Sequence, residues 1–154
     1  MSGRIGAIVL AGGRSSRFGR DKLAEPLDGR PLLHHAVAAV QAVATDVVVV
    51  VVAPGTIIEA PVGARLVHDA EAFEGPLAGL AAGLAALDPA VDRAIVVAGD
   101  MPSLQPTVLA RLIGAIGSTA DVAVLELDGR LVPFPMALRP PEALVAARRL
   151  LATG

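Results

Sequence analysis

A chain of 154 residues that is 54% hydrophobic is long enough for one well-buried domain and too short for two ordinary ones. A formal net charge of -2 and an aromatic content of 2%, with no Trp and no Tyr, argue against the basic field and stacking platforms of a nucleic-acid surface, so any anion site has to be local. The absence of cysteine removes disulfides and thiolate metal sites, and the chain reads as cytoplasmic.

The opening "MSGRIGAIVLAGG" sets a basic residue before a short apolar run that passes directly into Arg14, Arg17 and Arg20, unlike a secretory signal. The first strand is expected at Ile5 to Leu10. A helix is expected over Leu32 to Val43; the longest uncharged stretch, Pro31 to Thr45, contains two histidines and a glutamine and does not read as a membrane span. Val47 to Val52 lacks alternation, as a central strand buried on both faces does. Next come a helix over Leu77 to Leu87, a strand over Ala94 to Ala98, a helix over Val108 to Ile116 and a strand over Val122 to Leu127. Asp128-Gly129 signals a hairpin, and Glu142 to Leu151 completes the series as a helix. Three of the four helices start just after a proline, the residue favoured in a first helical turn. Strands alternating with helices imply an α/β, Rossmann-like three-layer sandwich, with a mostly parallel sheet and a small antiparallel excursion.

In such a sheet ligands bind beyond the carboxyl ends of the strands, which gives weight to the residues just after each apolar run. "LAGGRSSRFGRDKLAEPL" comes after the first strand. Gly12 and Gly13 let backbone N–H groups turn toward phosphate oxygens, while Arg14, Arg17, Arg20 and Lys22 supply charge. The alternative is a tight turn with solvated cations. The spacing is neither Walker A nor Gly-x-Gly-x-x-Gly. "VVAGDMPSL" delivers Asp100 to the same edge, where its carboxylate can hold Mg²⁺ or merely make a turn. In "EGPLAGLAAGL", Gly75, Gly79 and Gly83 allow either close helix packing or close approach of a flat base. Asp69 precedes that helix in a loop, where a solvated acid is the simpler reading. His34 and His35 are adjacent on a helix and do not face one another, so they read as structural or surface residues. Arg148 and Arg149 read as a solvated helix face.

Taken in order, LAGG-x-S-x-R-x-G-x-D-K, a G-x-P-L, GPLAG and a strand ending in Asp-Met-Pro resemble the MobA-type nucleotidyltransferases, the molybdenum cofactor guanylyltransferases. The resemblance runs from Ile5 to about Arg139. It implies that Leu10, Ala11, Gly12, Gly13 and Lys22 hold the nucleoside triphosphate, with Ser15 and Arg17 as phosphate contacts. It matches Asp69 and Asp100 to two acidic positions, makes Asp100 the Mg²⁺ ligand, and adds Gly75, Pro76 and Leu77 to the nucleotide site. "FPMALRP" is similar to the family's segment beside the acceptor, which puts Pro135 and Leu138 near the second substrate. LAGG with GPLAG resembles the guanylyl branch, although Ala53-Pro54-Gly55 stands where many guanylyl members carry an asparagine.

The resemblance therefore implies a single nucleotidyltransferase domain over 1–154, expected to lack the family's C-terminal strand and helix. Its substrates are GTP and molybdopterin, its cofactor is Mg²⁺, and neither nucleic acid nor membrane is a partner. Arg17, Lys22 and Asp100 are the expected catalytic residues. Positioning and charge neutralisation suffice for such chemistry, which needs no nucleophilic side chain. A cytidylyl or sugar-phosphate nucleotidylyltransferase, or a non-catalytic nucleotide-binding module, would use the same loop and aspartate.

Overall fold

The computed structural model describes residues 3–12, 26–69, 75–117 and 119–153. In chain order the elements are β1 (Arg4–Leu10), β2 (Pro26–Leu27), β3 (Arg30–Pro31), α1 (Leu32–Gln41), β4 (Val48–Val52), β5 (Ala64–His68), α2 (Pro76–Ala86), β6 (Val91–Ala98), α3 (Pro106–Ala115), β7 (Val122–Leu127), β8 (Arg130–Leu138) and α4 (Pro140–Ala152). Six strands form one sheet in the order β5-β4-β1-β6-β8-β7. The first four of that order run parallel, and β8 is antiparallel to both of its neighbours.

Alternation along the strands sorts the core into two faces. Ala7, Val9, Val50 and Val97 pack with Val37 of α1 and Leu109 of α3, while Ile8, Val49, Val51 and Val96 pack with Leu84 of α2 and Leu144 of α4. This is the expected three-layer sandwich. All five valines of β4 are at most 1% exposed, which explains their lack of alternation: helices cover both faces. Proline stands in the first turn of α2, α3 and α4, where its missing N–H breaks no intrahelical bond.

β5 escapes the sequence reading because Arg65 and His68 interrupt its apolar run; as an edge strand it tolerates two exposed polar side chains. The short β2–β3 hairpin turns at Asp28-Gly29, with φ of 52° and 79°. Asp128-Gly129 repeats that geometry between β7 and β8, with φ of 52° and 77°, as a type I′ turn requires. β8 accommodates its prolines by leaving the ladder: Val124 pairs with Met136 and Leu125 with Val132, so Pro133, Phe134 and Pro135 bulge out between them.

At the amino edge of the sheet, Arg4 bonds Asp46 and reaches Asp88 at 3.3 Å. Its hydrogen bond to Asp46 holds the guanidinium above its ordinary pKa. The N–H of Ala90, and then Arg4, hold the Asp88 carboxyl below the usual carboxylate range. Two strand arginines serve helix ends instead: Arg65 donates to the Ala86 carbonyl of α2, and Arg93 to Ile113 of α3 at 3.3 Å. Both place a cation against last-turn carbonyls, where the helix dipole favours it. Among the described residues no helix is long and apolar enough to cross a membrane.

Candidate active site

The chain after β1 returns through β4 on one side of it, and β6 lies on the other, so the connections part at β1 and a ligand crevice is expected along the carboxyl edge to either side of it. Register aligns the residues that emerge there. Leu10 is paired with both Val51 and Ala98, and Val52 with His68. Backbone bonds extend the rows past the strand ends: Ala11 N–H to Val51 O at 2.7 Å, Asp69 N–H to Val52 O at 2.8 Å, and Gly99 N–H to Leu10 O at 2.9 Å. Asp69, Ala53, Gly12 and Asp100 therefore come out side by side on four adjacent strands. Asp69 and Asp100 are three strand intervals apart, roughly 14 Å at the backbone with neighbours about 4.8 Å apart. They mark two regions of the crevice rather than one ligand pair.

Asp100 is exposed at the tip of β6 and held from both sides. Gly99 before it is tied to Leu10, and Met101 after it packs against the core that α1 and α3 cover. Such a carboxylate is a hard oxygen donor suited to Mg²⁺, which takes one or two carboxylates and completes its shell with water and phosphate. The described residues include no cluster of three or more acids or histidines that would cage an ion without substrate.

Asp69 turns toward α2: its Oδ2 lies 3.8 Å from where a Cβ on Gly79 would stand, and Leu10 Cδ2 lies 3.5 Å from that point. Gly75 caps α2 with φ of 85°, a conformation that favours glycine, and Pro76 and Leu77 begin the helix at the same edge. The three glycines of this segment have three different reasons. Gly75 is set by its backbone angle, while Gly83 is set by packing, since its Cβ would fall 2.7 Å from Ile8 Cγ2. Gly79 is buried with ordinary clearance against Leu10, Asp69 and Val51. Gly12 approaches β4 so closely that its Cβ would lie 3.3 Å from the Ala53 nitrogen, so its bareness serves loop packing as well as ligand access.

The structure puts Leu10, Ala11, Gly12, Asp69 and Asp100 in one row at the carboxyl edge, and Gly75, Pro76 and Leu77 at the start of α2, whose Gly79 lies against Leu10 and Asp69. Gly13, Ser15, Arg17 and Lys22 lie outside the described residues, as do Arg14 and Arg20. Pro135 is buried in the β8 bulge beyond Met136, which pairs with Val96 in the carboxyl half of β6. Leu138 does not join the site: the antiparallel run of β8 carries it down to Ala94, where it is 1% exposed in the core. Among the described residues the His35 ring bonds the Leu27 carbonyl and holds the β2–β3 hairpin. Sequence reasoning noted Ala53-Pro54-Gly55 without reading a turn there, and it passed over His68, whose Nε2 bonds the Thr56 carbonyl at 2.9 Å beside that turn. The Pro-Gly pair after a strand was the available signal.

Comparison with known proteins agrees with this fold. Over 97% of its length the chain is 36% identical to a probable molybdenum cofactor guanylyltransferase of Chloroflexus aggregans, covering 72% of that protein. A protein of the same description from Mycobacterium avium is 38% identical over 82% of this chain, which spans 65% of it. The structure of Rv0371c from Mycobacterium tuberculosis superposes with a TM-score of 0.77 at 22% identity, covering 94% of this chain and 77% of that one. That likeness speaks for the fold. The family described as the MobA-like NTP transferase domain matches residues 7–154, and the chain belongs to it.

Proposed function

We propose that this domain transfers GMP from GTP to the phosphate of molybdopterin, releasing pyrophosphate. The observation that carries the reading is the row at the carboxyl edge, in which Gly12, Asp69 and Asp100 emerge side by side, in a chain of the MobA-like NTP transferase family with guanylyltransferase relatives. In the reaction an oxygen of the acceptor phosphate forms a bond to the α-phosphorus of GTP, and the bond from that phosphorus to the bridging oxygen of the β-phosphate breaks in line. Gly12, where the ladder of β1 ends, offers main chain that a phosphate can approach, and the first turn of α2 after Pro76 adds N–H groups with no partner within the helix. Lys22, Arg17 and Ser15 complete the phosphate contacts in this reading. Bound at Asp100, Mg²⁺ would neutralise charge on the triphosphate and on the leaving pyrophosphate. Asp69 stands at the opposite end of the crevice and serves the nucleoside part. The reading treats residues 1–154 as one cytoplasmic nucleotidyltransferase domain.

The test is single-turnover transfer from GTP labelled at the α-phosphate to molybdopterin in Mg²⁺. Label should pass to the pterin and pyrophosphate should appear in equal amount. Nucleotide binding without transfer would favour a non-catalytic module, and transfer from CTP alone would sink the guanylyl assignment.

A further inference from the structure

Directly after β4 the chain makes a tight turn, Ala53-Pro54-Gly55-Thr56, closed by the Thr56 N–H on the Ala53 carbonyl at 3.2 Å. Proline at the second position and Gly55 at φ of 77° give it the form of a type II turn. Its first residue is level with Gly12 and Asp69, at the end of the row that the proposed function gives to the nucleoside. None of the first three side chains can make a hydrogen bond, so a base lying there meets main chain: the carbonyls of Pro54 and Gly55 and the N–H of Gly55, with the Thr56 hydroxyl beside them.

Main-chain groups distinguish one base edge from another only while the peptide planes are fixed, since guanine, adenine and cytosine differ in the order of donors and acceptors they present. Several contacts fix this segment. Gln41 at the end of α1 donates to Val62 O at 2.7 Å, Ile58 packs on the core, and His68 donates to Thr56 O. The carbonyl can only accept, so Nε2 carries the hydrogen. Of these contacts only the one from His68 reaches the turn itself, and it ties the turn to the strand whose next residue is Asp69.

We propose that His68 is a positioning residue for base selection, holding the Ala53–Thr56 turn so that its main chain reads the Watson–Crick edge of the bound nucleotide. This rests on the nucleotide-donor reading above. It assigns selectivity to main chain in a turn whose first three side chains cannot hydrogen-bond.

Calorimetric titration of the full chain with GTP, CTP and inorganic tripolyphosphate in Mg²⁺ tests it on wild type, His68→Ala and His68→Gln, with melting curves as the fold control. Loss of one such hydrogen bond should weaken GTP about 3- to 10-fold and reduce the GTP-to-CTP preference by a similar factor. Tripolyphosphate affinity should not move, and His68→Gln, which keeps a donor at similar reach, should recover most of the preference. Equal loss for GTP and CTP, or no loss for either, overturns the proposal. Should His68→Ala melt too low to assay, Gly55→Ala probes the same turn. Among the described residues its Cβ meets nothing within 4 Å, so it alters the turn only through the strained φ and the face offered to the base, and an unchanged preference there overturns the proposal too. A wild type that prefers another nucleotide refutes the guanylyl reading alone, and the His68 comparison is then made on that nucleotide. A wild type that binds no nucleotide refutes both.

Discussion

Gly79→Ala and Gly83→Ala make the same chemical change one helical turn apart on α2 and should have opposite outcomes. Alanine in a helix interior is favoured over glycine by about 1 kcal/mol. At position 79 the new methyl would lie 3.5 Å from Leu10 Cδ2 and 3.8 Å from Val51 Cγ1 and Asp69 Oδ2, all ordinary contacts, so most of that gain is kept. At position 83 it would lie 2.7 Å from Ile8 Cγ2 and 3.1 Å from Val51 Cγ2. Those two side chains are β-branched and 0% and 1% exposed, so they cannot rotate away, and overpacking costs about 1–3 kcal/mol. Stability should therefore rise by roughly 0.5–1 kcal/mol in Gly79→Ala, while Gly83→Ala ranges from about neutral to roughly 2 kcal/mol less stable. For a domain of this size each kcal/mol moves Tm by about 2–4 °C, so the two midpoints should separate by several degrees. Nucleotide affinity should show the reverse order. The methyl at 79 stands beside Asp69 and weakens binding, whereas the one at 83 is buried under β1 and leaves it nearly intact. Circular dichroism melts and calorimetry with GTP on both variants check this. Equal Tm shifts, or a more stable Gly83→Ala, would refute the packing argument.

Asp100→Asn should lower Mg²⁺-dependent transfer by ~10²–10³ with little change in Tm, because the residue is exposed at a strand tip; an unchanged single-turnover rate would place the metal elsewhere. Lys22→Ala is expected to weaken triphosphate binding far more than it lowers the melting midpoint, as measured by titration and thermal denaturation of one preparation. Asp88 has a lowered pKa, so its contribution to stability is full above the ordinary aspartate value and is lost as pH falls through the lowered one. Denaturant titrations across the acid range should accordingly show a shallower acid loss in Asp88→Asn than in wild type, with GTP affinity unaffected at the opposite edge of the sheet.

The parallel core was legible because its strands are short apolar runs stopped by Gly, Pro or Asp, and its helices are Ala- and Leu-rich segments that prolines initiate. β5 was not, since an edge strand that sends Arg65 to a helix end and His68 to a loop loses its apolar signature. Asp28-Gly29 carried the same hairpin signal as Asp128-Gly129, but its flanking strands are two residues each and supply no pattern to support it. Within the site, Asp100 was reachable by two routes, strand-end position and motif. The glycines of α2 were not separable from sequence, because their differences lie in the groups that stand opposite: open space at Gly75, Leu10 and Asp69 at Gly79, and Ile8 at Gly83. Leu138 was misplaced for a topological reason. A motif read along the chain ignores that an antiparallel strand leaves the carboxyl edge as it proceeds.

The pairing of β6 has a consequence for how such a domain can change over time. Joined to β1 along its whole length, β6 is joined to β8 only through Ala94, Ile95 and Val96. The β7–β8 ribbon is thus fastened to the rest of the sheet by a short seam at its far end, and the bulged stretch from Pro133 to Pro135 hangs past that seam. Insertions or replacements between Asp128 and Pro135 would leave the seam, the four parallel strands and everything at their carboxyl ends in place. One side of the crevice is consequently free to diversify while the other is held fixed, which is the arrangement a scaffold needs if it is to keep one substrate and exchange the second.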